Sequence, residues 1–137
     1  MMKPCRIDIP GSIPGHALVK HRVCLLDTDS GAGKTLFFDL VSDYCSIKKL
    51  SYSYIDYRCV LDTDSILRTC IGSALVLFDN ADLYNVGDVI QKLDSRTKLI
   101  FVSGHNLSLD NILVPDIGYY QVFIKDRILN IKAEWGA

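Results

Sequence analysis

Seven consecutive residues, Asp29, Ser30, Gly31, Ala32, Gly33, Lys34 and Thr35, have the types and spacing that handle phosphate. Gly31 and Gly33 let successive amide groups turn inward and let the backbone approach an anion closely. A helix beginning directly after them adds partial positive charge at its first turn. Lys34 supplies a point charge that reaches the β and γ phosphates of a nucleoside triphosphate, and the Thr35 hydroxyl suits the coordination shell of a magnesium ion.

A second set lies downstream. Asp79 follows the apolar run ALVLF, so its carboxylate stands at a strand tip, where it can hold a magnesium-bound water. The competing reading of Asp79 is a turn or helix-capping aspartate. Asn80 comes next, and its amide cannot act as a general base. Asp82 stands two residues beyond, with capping as its ordinary role. Ser103 ends the run KLIFVS, where a polar residue is ordinarily a turn former, and His105 stands two residues beyond. Arg58, Arg68 and Arg96 are the candidate charge-stabilising arginines, and no spacing favours one of them. Asp62 and Asp64 are read as loop and capping residues before they are read as metal-side groups.

These residues need strands and helices in a set order. Val23 to Leu26 is a short apolar run closing on Asp27 and a glycine-containing loop, as in a buried parallel strand. From Thr35 to Ser46, Leu36, Phe37, Leu40, Val41, Tyr44 and Cys45 recur one helical turn apart, with Asp39, Ser42 and Asp43 on the other side. LSYSYIDYRCVL favours a strand through its tyrosines, Ile55 and Val60. DTDSILRTCIG reads as a short helix with Asp64 as N-cap and Gly72 just past its end. ALVLF predicts a strand in the middle of the sheet. Val86, Val89, Ile90 and Leu93 mark a further helix opened by Asn85 or Asp82, and KLIFVS gives another buried strand. The alternation predicts an α/β fold: a three-layer sandwich on a mainly parallel sheet of about five strands. Residues 1–22 read as an N-terminal arm or hairpin, and residues 119–135 as a C-terminal hairpin that closes the sheet edge.

The segment from Asp29 to Thr35, followed by LVLFDN, resembles the P-loop NTPase superfamily, in particular AAA+ and related ATPases, through Walker A-like and Walker B-like motifs. The resemblance covers Val23 to about Ser103. It implies ATP as ligand, with GTP not excluded, held with Mg2+ by Lys34, Thr35 and Asp79. It assigns Ser103 a sensor role, and it places the strand ending at Ser103 between the strand before the loop and the strand carrying Asp79. Two positions depart from the pattern. Thr28 stands where the family has its first glycine, and β-branched residues disfavour positive φ. Asn80 stands where many members carry the glutamate that positions the attacking water, so hydrolysis is expected to be slow or to need a partner. The helical lid of AAA+ proteins has no counterpart here. No Asn-Lys-x-Asp string speaks for a guanine-specific switch, and no arginine-bearing lid segment speaks for a small-molecule kinase.

The remaining bounds are broad. At 137 residues the chain reads as a single domain, 1–137. A net charge of −1 advertises neither nucleic acid nor an anionic membrane, and charge and aromatic patterning give no support to nucleic acid as a partner. The expected partner beside the nucleotide is another protein or a second copy of the chain. Five cysteines without CxxC spacing read as reduced thiols. With no apolar run near the ~20 residues of a membrane span and a polar start, the sequence reads as cytoplasmic. The alternative to an ATPase is a nucleotide-binding switch that does not hydrolyse its ligand.

Overall fold

The computed structural model describes residues 5–9, 15–26, 34–93, 98–104, 116–125 and 128–133. In chain order the elements are β1 (Cys5–Ile9), β2 (Gly15–Val19), β3 (Val23–Leu26), α1 (Lys34–Lys48), β4 (Tyr52–Ile55), α2 (Thr63–Cys70) and β5 (Leu75–Phe78). After a 3-10 turn at Ala81–Leu83 come α3 (Val86–Lys92), β6 (Leu99–Val102), β7 (Ile117–Lys125) and β8 (Ile128–Ala133).

All eight strands form one sheet in the order β1-β2-β8-β7-β3-β6-β5-β4. Five of them, β7, β3, β6, β5 and β4, run parallel, and β3, β5 and β6 carry the short apolar runs that a strand covered on both faces requires. β6 lies between β3 and β5, the order that the resemblance implied. β7 is shared: Ile117 to Tyr120 pair with β3, and Tyr120 to Lys125 pair antiparallel with β8. The hairpin does not close the sheet, because β8 pairs parallel with β2, and β2 pairs antiparallel with β1. The parallel part thus has the expected five strands, and among the described residues β8, β2 and β1 extend it to eight, with β1 and β4 at the edges. β5 is next to an edge rather than in the middle.

Two clusters of buried side chains take alternate residues of the strands. One joins Cys24, Leu26, Leu75, Leu77 and Phe101 to Phe37, Phe38, Val41 and Cys45 of α1. The other joins Val23, Leu25, Val76, Phe78, Ile100 and Val102 to Ile66 and Cys70 of α2 and Val89 and Ile90 of α3. Phe38, outside the predicted apolar face of α1, is fully buried against Tyr54 with ring centroids 5.7 Å apart. Leu36, Leu40 and Tyr44 are only half-buried.

Two local expectations are corrected. α2 is capped by Asp62, not Asp64: Asp62 is extended (φ −76°, ψ 150°) and its carboxylate accepts from Ser65 N at 2.9 Å and Ser65 Oγ at 2.7 Å. β4 ends at Ile55 rather than running on to Val60, because Asp56 turns the chain by accepting from Arg58 N at 3.0 Å. α3 is opened by Asn85, which accepts from Asp88 N at 3.2 Å. Among the described residues no helix is long and apolar enough to cross a membrane.

Candidate functional site

Because β3, β6, β5 and β4 are parallel, the segments that follow them leave the sheet at one end. Leu25 pairs with Val102, Phe78 with Val102 and Ile55 with Phe78, so the strands finish nearly level. Open parallel sheets bind their ligands in this place, beyond the carboxyl ends of the strands. Lys34 and Thr35 are the first two residues of α1. Asp29, Ser30, Gly31, Ala32 and Gly33 lie outside the described residues, as does His105.

Asp79 follows β5 directly and is 8% exposed. Its N–H donates to Ile55 O at 2.8 Å, its Oδ1 accepts from Asn80 N at 2.9 Å, and its carbonyl accepts from the Tyr84 hydroxyl at 2.7 Å. Ser103, buried after β6, donates its N–H to Phe78 O at 2.8 Å and accepts from Ala81 N at 2.9 Å. These bonds lace the turn after β5 to the end of β6. The approach is close enough to require Gly104, where an added Cβ would stand 2.9 Å from Asp82 N and 3.1 Å from Ala81 N. Asn80 is left-handed (φ 51°, ψ 40°), a conformation asparagine tolerates better than most side chains, and its Oδ1 accepts from Tyr57 N at 3.3 Å. The side chain therefore ties the turn after β5 to the turn after β4.

A cavity of about 300 Å³ opens between these turns and α1, lined by Asp39, Tyr54, Asp56, Arg58, Asp79 and Asn80 among others. Burial, and then the charges of Asp79, Asp39 and Asp56, push the Tyr54 hydroxyl well above its usual range, with Arg58 opposing. The Asp56 carboxyl is held below the usual carboxylate range, chiefly by its bond from the Arg58 side chain, against the opposing effect of its own burial. Arg58 Nε reaches Asp56 Oδ2 at 3.0 Å, and Arg58 Nη2 donates to the same oxygen.

Of the residues named from sequence, the fold brings Asp79 and Asn80 onto one cavity and places Ser103 beside them through the backbone of Ala81. Arg58 joins them. Arg68 lines a separate cavity of about 450 Å³ with Cys59 and Thr69. Asp62 is engaged in capping α2. Asp39, Tyr54 and Asp56 were not read as site residues; the signal for Asp56 was an acidic residue closing YSYI, the same pattern that marked Asp79. Among the described residues no group of three or more His, Cys, Asp or Glu side chains is placed to hold a metal ion. Comparison with protein-family models, with curated proteins and with solved structures gives no match.

Proposed function

We propose that the chain is a P-loop ATPase-like domain with the three-layer fold of that superfamily, binding Mg-ATP through Lys34, Thr35 and Asp79 and hydrolysing it slowly or only with a partner. The observation that carries the reading is the strand order. β6, followed by Ser103, lies between β3, which precedes the Asp29 to Thr35 segment in the chain, and β5, followed by Asp79, and all three finish at one end of the sheet. The assignment of buried residues to one cluster with α1 and another with α2 and α3 supports helices on both faces. Phosphates at the start of α1 and magnesium near Asp79 are what this arrangement serves best. The partner is another protein or a second copy, and the compartment the cytoplasm.

One observation favours the switch as a second reading. Asn80, in the place of the family's base, is committed to Tyr57 N, so occupancy of the site would be felt by the turn after β4 without turnover. Calorimetry with Mg-ATP and Mg-GTP on wild type and Lys34→Ala, with phosphate release followed on the same samples, tests both. Binding that Lys34→Ala abolishes is expected. Clear release supports the ATPase, binding without release supports the switch, and no binding overturns the nucleotide reading.

A further inference from the structure

We propose that Arg58 reads the terminal phosphate: its guanidinium exchanges the Asp56 carboxylate for the γ-phosphate and so separates nucleoside triphosphate from diphosphate. The inference rests on the nucleotide reading above and assigns within it the residue that sequence spacing left open among three arginines.

Charge is the first ground. Among the described residues lining the cavity, Arg58 is the one cation, facing the carboxylates of Asp39, Asp56 and Asp79. A triphosphate entering there brings further negative charge, and a guanidinium is the side chain that matches phosphate geometry. The second ground is the way Arg58 is held. Both of its side-chain bonds to Asp56 fall on one oxygen, Oδ2, rather than forming the two parallel bonds of a fork. A phosphate presenting two oxygens offers that fork. The third is freedom on one side only. The Arg58 side chain is 70% exposed while that of Asp56 is 8% exposed. The backbone beneath is fixed, since Arg58 N is bonded to Asp56 Oδ1 and Tyr57 N to Asn80 Oδ1. The guanidinium can therefore change partner without the turn unfolding. Arg68, by contrast, faces the other cavity and Ser65 Oγ at 3.4 Å.

The test is the ratio of Mg-ATP to Mg-ADP affinity, measured by calorimetry on the full chain for wild type, Arg58→Ala, Asp56→Asn and, as control, Lys34→Ala. Arg58→Ala is expected to weaken Mg-ATP by roughly ten- to a hundred-fold, the range of a charge-assisted hydrogen bond, and to leave Mg-ADP within about twofold. Asp56→Asn, which removes the competitor for the guanidinium, is expected to tighten Mg-ATP and leave Mg-ADP unchanged. A purely structural role for Arg58 would weaken both nucleotides alike, and that result, or no change in either, overturns the proposal while leaving the nucleotide site intact if Lys34→Ala abolishes binding. Wild type binding neither nucleotide overturns the nucleotide reading and this inference with it.

Discussion

Placing a glutamate at position 80 puts a carboxylate that could serve as a general base directly after Asp79, in a turn whose geometry was built around asparagine. Asn80 holds φ 51° and ψ 40°, and its Oδ1 accepts from Tyr57 N. An ordinary L-residue in the left-handed region costs about 1 to 2 kcal/mol, a penalty that asparagine partly escapes. Losing the bond to Tyr57 N costs about 0.5 to 1.5 kcal/mol more. Asn80→Glu is therefore expected to destabilise the fold by about 1 to 3 kcal/mol, since asparagine already carries part of the left-handed cost. The new carboxylate, facing the cavity of Asp39, Asp56 and Asp79, adds repulsion that salt weakens. Asn80→Gly, which removes the bond and relieves the backbone, is expected to lose about 1 kcal/mol. The assay is urea denaturation at neutral pH, with phosphate release from Mg-ATP on the same preparations. Release is expected not to rise in Asn80→Glu, because the left-handed turn was not selected to aim a longer side chain. A glutamate variant as stable as wild type would refute the account of the turn. A tenfold rise in release would refute the view that geometry, rather than residue type alone, limits hydrolysis.

Lys98, 6% exposed, donates from Nζ to Ile71 O at 2.8 Å and Ser73 O at 2.6 Å, closing the end of α2; Lys98→Met leaves both carbonyls without it and is expected to lower stability by about 2 to 4 kcal/mol in urea titration. Asp62→Ala is expected to cost about 1 kcal/mol through loss of the α2 cap, while Asp64→Ala costs little, which paired denaturation curves check. Because Arg58 lowers the Asp56 carboxyl, the stability it confers is fully present above the unfolded-state value near 3.9 and is lost as pH falls through the lower folded-state value. The urea midpoint of wild type is accordingly expected to exceed that of Arg58→Ala at neutral pH, and the gap to shrink as pH is taken toward 2.

Periodicity made the parallel part of the sheet legible because a strand covered on both faces must be apolar throughout: VCLL, LVLF and LIFV can be little else. The order of those strands came from resemblance, since no local pattern states which strands are neighbours. What was missed depended on single polar bonds. The tyrosines and Val60 favour strand throughout LSYSYIDYRCVL, and β4 ends early where Asp56 takes Arg58 N on its side chain and Cys59 N on its carbonyl. Asp62 and Asp64 are equally good caps by type, and Ser65 decides between them by offering both its N–H and its hydroxyl to Asp62. The need for glycine at 104 arises from its approach to Ala81 and Asp82, more than twenty residues away in the chain. The attachment of the N-terminal hairpin to β8 is likewise a pairing between distant segments.

The antiparallel part of the sheet is anchored at the opposite end from the candidate site. The link from β2 to β3, Lys20 to Arg22, meets β7 and the residue before it: Arg22 N donates to Asp116 Oδ2 at 3.2 Å and Val23 N to Asp116 O at 3.0 Å. Tyr120, fully buried, accepts from Lys20 N at 2.8 Å, and its hydroxyl shares a hydrogen bond with His21 Nδ1 at 2.7 Å. Gly118 leaves room for that imidazole, since an added Cβ would lie 2.3 Å from it. These bonds fix the amino end of β3, while Asp56, Arg58, Asp79, Asn80 and Ser103 gather past the carboxyl ends of β4, β5 and β6. A change at the amino end reaches the cavity only through the packed sheet, so it should alter global stability without changing which ligand the cavity prefers. A change among the five polar residues acts on the cavity directly, and discrimination between ligands is the property by which the two kinds of effect can be told apart.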